Sequence, residues 1–453
     1  MKQRLRYIVV AAALYCVCGP AAAWSDHTLA AWPALAAMPE IKAAPAIKVE
    51  ALESFLVAEA PGLEQLLRRE EVWARAHVPL YPPRPDALAF KASGTPAEIK
   101  QRFIAALRIN PGMKLKLFLQ ARPGEHVSGK ATLPWTEVTT RRRASTAQEN
   151  VFLQLREGER VAPLEVIATA TDEPDYGMDI GLWEDNGTAY GKIYGFGKQP
   201  FGNAALEFAS QAPFHMGFFH EAPIVYKAAP FLRRTYPEYR IHLWQSLAVY
   251  ALQTGHPYWG WRFVGWALHY IEDLTQPYHA TVLPGVGVPR MLWINTLDLL
   301  GWHQPKKDAI TLVSNRHLAL ENYEYHRLRD AYIDHDADDA LIRALEDTSA
   351  DAGRAAFSDN TARQVISRQS NALAAATDRV LEQSLPPKYV SDPDYVLGET
   401  EPGLDLYALL ERSPPSARQM MTSMVAGLLR NFGASTRLFV RSVLARAQTA
   451  QRQ

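Results

Sequence analysis

Apolar residues recur at helical spacing through most of the second half of the chain. The pattern predicts helices over roughly 205–230, 238–254, 258–275, 310–333, 338–350, 361–385 and 415–447. The first half is more varied. Residues 49–69 carry helical spacing that is interrupted at Pro61-Gly62, and Thr95-Pro96-Ala97-Glu98 reads as the start of a helix running to about 109, with Thr95 as cap. Residues 113–120, MKLKLFLQ, alternate charged and apolar side chains as a strand does, and 161–169 also reads as a strand. Pro33, Pro39 and Pro45 punctuate an Ala-rich stretch of short helix and turn, and 79–85 is an irregular connection. From 172 to 219 Gly, Asp and aromatic residues dominate with little helical period, and a loop that long is uncommon unless it builds something. No repeat of 20–50 residues is evident. Helices prevail, so the expected fold class is mainly α. We expect a multi-helix bundle with long loops, an inserted segment at about 50–165 that is partly β, and a helical extension after about 385.

Composition narrows this picture. The chain of 453 residues balances 48 Lys and Arg against 48 Asp and Glu. Its N-terminus has the form of a secretory signal: Lys2, Arg4 and Arg6, an apolar run over 7–18, and small residues Ala21-Ala22-Ala23 before a mature start at Trp24. The run is short for a membrane span, so 1–23 is expected to be removed and 24–453 to be a secreted or periplasmic soluble domain. Removing the signal leaves 45 basic against 48 acidic residues, a balance that argues against bulk electrostatic capture of nucleic acid or of an anionic membrane. Both cysteines, Cys16 and Cys18, lie inside the signal, so the mature chain contains no thiol and no disulfide. Its stability must come from a packed core and from bound metal.

The candidate chemistry is concentrated in HYIEDLTQPYHA, where His269, Asp273 and His279 form a His-x3-Asp-x5-His series, followed by His317 and Glu321 at His-x3-Glu spacing. On a helix, His269 and Asp273 project from one face, and Pro277 ends the helix so that His279 turns back toward it. Two imidazoles and a carboxylate so close together each need a partner of opposite character, and a divalent metal is the simplest one. Other histidines, His242, His256, His303, His326 and His335, lack carboxylates at ligand spacing and read as hydrogen-bonded core. Glu272 points to another face and reads as solvated or salt-bridged. Trp259, Trp261 and Trp266 read as core, whereas Tyr176, Trp183, Tyr190 and Phe214 are candidates for a substrate wall. The run Arg141-Arg142-Arg143 reads as a solvated loop. The 415–447 stretch is strongly amphipathic, and its apolar stripe is expected to pack on the bundle, with docking on lipid as the alternative.

Trp24 at the mature start, His27 nearby, GWALHYIEDLTQPYHA and NRHLALE together resemble the zinc-dependent phospholipase C and single-strand nuclease superfamily. The resemblance covers about half of the mature chain. It implies an all-α fold holding three zinc ions, with ligands from His269, Asp273 as a bridge, His279, His317 and Glu321. It further implies that Trp24 offers its free amine and carbonyl, and that His27 binds too. An upstream Asp and His complete the set: Asp172, with Asp175 and Asp179 as competitors, and His215, with His220 as competitor. Asp172 is then also the group expected to orient a water or accept its proton. The implied activity is that of a zinc-dependent phosphoric ester hydrolase, a phospholipase C releasing diacylglycerol and a phosphorylated headgroup, with a phospholipid or membrane surface as transient partner and no obligate protein partner. The alternatives are a single-strand nuclease or 3′-nucleotidase, and a non-catalytic zinc-binding structural protein. No G-x-S-x-G motif offers a serine nucleophile. Spacing departs from the compact members between 172 and 215, between His279 and His317, and between Trp24 and His27.

Overall fold

A helix with large apolar residues on every side has to be buried, and the stretch from Pro257 to Asp273 is such a helix, so that its few polar residues, Arg262, His269, Glu272 and Asp273, must find partners inside. In the computed structural model, which describes residues 24–141, 148–202, 208–397, 401 and 403–451, every residue from Tyr258 to Asp273 is buried. The helix Pro237–Gln253 folds back along it through a three-residue link in which Gly255 takes a positive φ of 87°. Phe263, Trp244, Trp259 and Trp266 interlock between the two, with Trp244 and Trp266 edge to face at 4.8 Å. Trp259, Trp261 and Trp266 are thus core, as their spacing predicts.

Three further helices close around this pair: His27–Ala36, Pro163–Asp172 and Pro415–Gln451. The Pro163–Asp172 helix comes unusually close because Gly265 faces it. A Cβ at Gly265 would stand 2.4 Å from the Ala170 Cβ and 2.6 Å from the Ile167 carbonyl oxygen. The C-terminal helix buries Met421, Val425, Leu429, Phe432, Phe439 and Val443, so its apolar stripe packs on the bundle and the extension is integral to the core. Among the described residues no helix is long and apolar enough to cross a membrane.

Strands occur within 47–161 only, among the described residues. Phe118–Ala121 and Thr132–Leu133 both pair antiparallel with Val151–Gln154, and Ile47–Lys48 pairs with Arg160–Val161. The segment also contributes the helices Leu52–His77 and Pro96–Leu107, the latter opened by a capping box between Thr95 and Glu98. Most of its buried apolar side chains belong to the main core, while Phe118, Val138 and Phe152 form a small separate cluster with Tyr176.

Several elements differ from their expected form. The helix expected over 205–230 is a series of short turns, Phe208–Gln211, Ala212–His215, Pro223–Ala228 and Pro230–Arg233, with 203–207 outside the described residues. Pro213, Pro223 and Pro230 break it, and Gly217 leaves room for Leu274 and Phe219 that a Cβ would fill. The helix Leu52–His77 continues through Pro61. Of residues 161–169 only Val161 is strand, and the helix begins at Pro163, because Pro163 occupies the first turn and Glu165 accepts from the Ala162 amide at 2.9 Å. Two further helical stretches, Val288–Leu299 and the first turns of Gln304–Ile333, lie where none was expected. Arg142 and Arg143 fall outside the described residues.

Replacing Gly265 by Ala is expected to lower unfolding free energy by about 1–3 kcal/mol in a denaturant titration, because the two helices cannot separate without disturbing the core. Gly427→Ala, in a helix with nothing within 4 Å of the added methyl, is expected to gain about 0.5–1 kcal/mol instead. Equal effects of the two would refute close packing at Gly265.

Candidate metal centre

The close approach at Gly265 brings the Thr171 carbonyl within 2.7 Å of His269 Nδ1. A carbonyl only accepts, so Nδ1 carries the proton and Nε2 turns its lone pair inward. The same logic orients two more rings. His279 Nδ1 lies 3.2 Å from the His215 carbonyl, and His27 Nδ1 lies 2.9 Å from Glu272 Oε2. Each ring is fixed by an oxygen on its outer edge, the pattern that orients metal-binding histidines.

The inward atoms fall into three groups: His27, His269 and Asp273; Asp175, His215 and His269; and His279, His317 and Glu321, each group's ligand atoms lying within 4.8 Å of one another. Asp273 divides its two oxygens between the first two. Its Oδ2 is 3.0 Å from His215 Nδ1 and 3.5 Å from His269 Nε2, and its Oδ1 is 3.6 Å from His27 Nε2. His215 Nδ1 and His269 Nε2 are 3.0 Å apart, and Asp175 Oδ1 is 3.9 Å from both. Atoms held by one cation at bonds of about 2.0–2.1 Å are separated by about 3.4 Å, so these four atoms have the spread of one coordination sphere. In the third group His317 Nε2 and Glu321 Oε1 approach to 2.7 Å without hydrogen-bond geometry, one helical turn apart, while Tyr278 stacks on the His317 ring.

Buried polar atoms are normally satisfied, and here several are not. Among the described residues His27 Nε2, both oxygens of Asp273, His279 Nε2, His317 Nε2 and Glu321 Oε1 have no hydrogen-bond partner. The electrostatics agree. Burial holds His27, His269 and His279 well below the usual imidazole value and His317 at about 3, so these rings are neutral donors of electron pairs. Burial raises Asp273 to about 7 and Glu321 well above the carboxylate range. His215 is the exception: burial lowers it, but Asp273, Asp179 and Asp175 outweigh burial and raise it to about 10. The field at this point therefore favours positive charge. The residues fit a bound cation.

The structure brings together His27, His215, His269, Asp273, His279, His317 and Glu321 of the expected ligands. Asp172 is a correction: it belongs to none of the three groups. Its Oδ1 accepts from the His27 backbone amide at 2.6 Å and its Oδ2 from Gln120 at 2.8 Å, so both oxygens hold the segment that presents His27. Burial and the neighbouring Asp26 charge raise it well above the usual range. The carboxylate that meets His215 and His269 is Asp175, one turn further on. Asp179 backs His215 Nε2 at 3.4 Å and is clamped by Arg240 at 2.6 Å and the Tyr270 hydroxyl at 2.6 Å. His220 is elsewhere, bonded to the Arg363 carbonyl. Trp24 is buried, and its indole N–H donates to the Glu272 carbonyl at 3.1 Å.

Of the two readings of Glu272, solvated or paired, the structure shows the paired one. It is fully buried, with Oε2 on His27 and Oε1 accepting from Thr436 of the C-terminal helix at 3.0 Å. The signal for it was present: a glutamate in a helix with no polar side has no route to solvent and must be paired inside. Three of the four residues expected to line a substrate wall are corrected, while Tyr190 is half-buried. Tyr176, Trp183 and Phe214 are buried, and the last two pack with Phe196 and Tyr236 beneath the loop. His242 and His256 are half-buried against Glu70 and Glu50, and His303 and His335 are exposed, so none of these is core.

Comparison of the chain with protein-family models, with curated proteins and with solved structures returns no match.

Substituting Glu272→Ala releases the His27 ring without touching a ligand atom. Cation affinity, read by competition with a chromogenic chelator, is expected to fall about 10–100-fold. Thr436→Val is expected to move it in the same direction by less. Wild-type affinity in Glu272→Ala would exclude this support.

Proposed function

We propose that the chain is a zinc-dependent hydrolase of phosphate diesters acting as a phospholipase C. The observation that carries the reading is the division of Asp273 between adjacent ligand groups, with the third group, His279, His317 and Glu321, close by. Imidazole and carboxylate donors without thiolate suit zinc, and three groups suit three ions. The pair formed by His27 and Asp273 Oδ1 needs more donors once His269 is committed beside His215. Trp24, three residues before His27, offers its amine and carbonyl when the signal is removed. Zinc supplies Lewis acidity that makes water nucleophilic near neutral pH and stabilises charge on phosphoryl oxygens.

The chain's own groups have separate tasks. Asp175 is the one ligand-grade carboxylate with some solvent access, its side chain 10 % exposed against 0 % for Asp273 and 2 % for Glu321. Gln211 donates to its Oδ1 at 2.5 Å and fixes its direction. Asp175, not Asp172, is therefore the group placed to orient a water and accept its proton. Tyr270 and Arg240 hold Asp179 ionised behind His215, so that its Nδ1 stays turned inward. A neutral overall charge favours a phospholipid substrate over a polyanion such as single-stranded DNA. Near-complete burial of the ligands favours a second reading, a saturated structural metal site without turnover.

A chromogenic phosphocholine ester and single-stranded DNA, each with and without chelator, separate these readings. Ester hydrolysis lost on chelation and restored by zinc is the expected result. DNA cleavage alone would shift the reading to a nuclease, and bound zinc without turnover to a structural site. Asp175→Asn is expected to lower turnover at least about a hundredfold, and Asp172→Asn much less; the reverse order would return the proton-accepting role to Asp172. One extra residue before Trp24 is expected to lower zinc content per chain. Unchanged zinc content would remove the terminal amine from the ligand set.

A further inference from the structure

Between His279 and His317 the chain leaves the metal centre, forms the helix Val288–Leu299, turns, and returns on Gln304–Ile333. The inner face of Val288–Leu299 is complete: Met291, Ile294 and Leu297 are buried. Met291 joins a small core with Val225 and Leu232. An amphipathic helix so packed should carry polar residues on its outer face. Instead Trp293 is 61 % exposed, Leu299 63 %, Leu300 72 % and Trp302 69 %. Residues 299–304 are all exposed in succession, so the patch is a projecting tip and not a groove.

Four such side chains offer on the order of 500 Å² of apolar surface. A stable dimer buries roughly 800 Å² on each partner, on flatter and more extended faces. The surrounding exposed charge is mainly positive. Arg290, Lys307 and, on the adjoining turn Pro223–Ala228, Lys227 are exposed and in no ion pair among the described residues. The nearby carboxylates are occupied, Asp298 by Lys306 at 2.6 Å and His303 at 2.7 Å, and Asp308 by Gln304 at 2.7 Å. Tryptophan and leucine at a convex tip ringed by unpaired cations match the interface of a bilayer, where indole rings settle at headgroup depth and cations meet lipid phosphates.

We infer that the 288–304 tip docks the protein on a lipid bilayer, inserting Trp293, Leu299, Leu300 and Trp302 at the headgroup level. The inference gives the proposed hydrolase the surface on which its substrate is met, yet its physical basis is the tip and not the metal chemistry.

The test is flotation of the processed, metal-loaded protein with vesicles of phosphatidylcholine containing a minority of phosphatidylglycerol, beside W293S/W302S. Wild type is expected to float, and the double variant to partition roughly tenfold or more less, with an unchanged circular dichroism spectrum. Hydrolysis of a water-soluble phosphocholine ester, run in parallel, is expected to be the same in both proteins. Flotation without ester hydrolysis supports the docking tip and counts against the hydrolase reading alone. Wild type that stays in the soluble fraction, a variant that floats equally well, or a wild-type dimer that the variant converts to monomer would each overturn the inference, the last in favour of self-association.

Discussion

A carboxylate sealed from water with neither oxygen hydrogen-bonded is the least comfortable group a protein can hold, and Asp273 is in that position. Around it the fold gathers the neutral imidazoles of His27, His279 and His317, whose inward nitrogens also lack partners, and the His215–His269 pair. Left as it stands, the cluster opposes folding. Cations placed among these atoms turn the same burial into an advantage, since a low dielectric strengthens every ion–donor attraction. On the proposed reading cation occupancy and stability are therefore linked, and among the described residues there is no cysteine to form a disulfide.

The supporting groups follow from that constraint. Each imidazole must offer one particular nitrogen, and each is fixed from behind by a different part of the chain: His269 by the Thr171 carbonyl, His279 by the His215 carbonyl, and His27 by Glu272. Asp179 stays ionised beside His215 because Arg240 and the Tyr270 hydroxyl are buried against it. The long Gly- and Asp-rich stretch from 172 to 219 supplies Asp175, Asp179 and His215. This explains why it has no helical period: its backbone is bent to deliver three side chains to one point.

The helical class, the core tryptophans and the candidate donors His269, Asp273, His279, His317 and Glu321 were legible because they depend on local spacing, whereas His27 and His215 came only from the resemblance. His269 and Asp273 are one turn apart on a helix, and so are His317 and Glu321. What failed depends on direction. Asp172, Asp175 and Asp179 share composition and neighbourhood, and which of them faces His215 is decided by a tight turn after the helix Pro163–Asp172. The substrate wall failed for a similar reason, since an aromatic residue next to a ligand in sequence can point into the core beneath it, as Trp183 and Phe214 do. Prolines were misweighted in both directions: Pro61 lies inside a continuous helix, whereas Pro213 and Pro223 break one.

Glu272 connects the two extremes of the polypeptide. Its backbone carbonyl takes the indole of Trp24, one carboxylate oxygen takes His27, and the other takes Thr436, some 160 residues downstream. A chain synthesised only as far as Glu321 holds the candidate donors but lacks Thr436, so Glu272 is braced behind His27 only once the helix Pro415–Gln451 has been made.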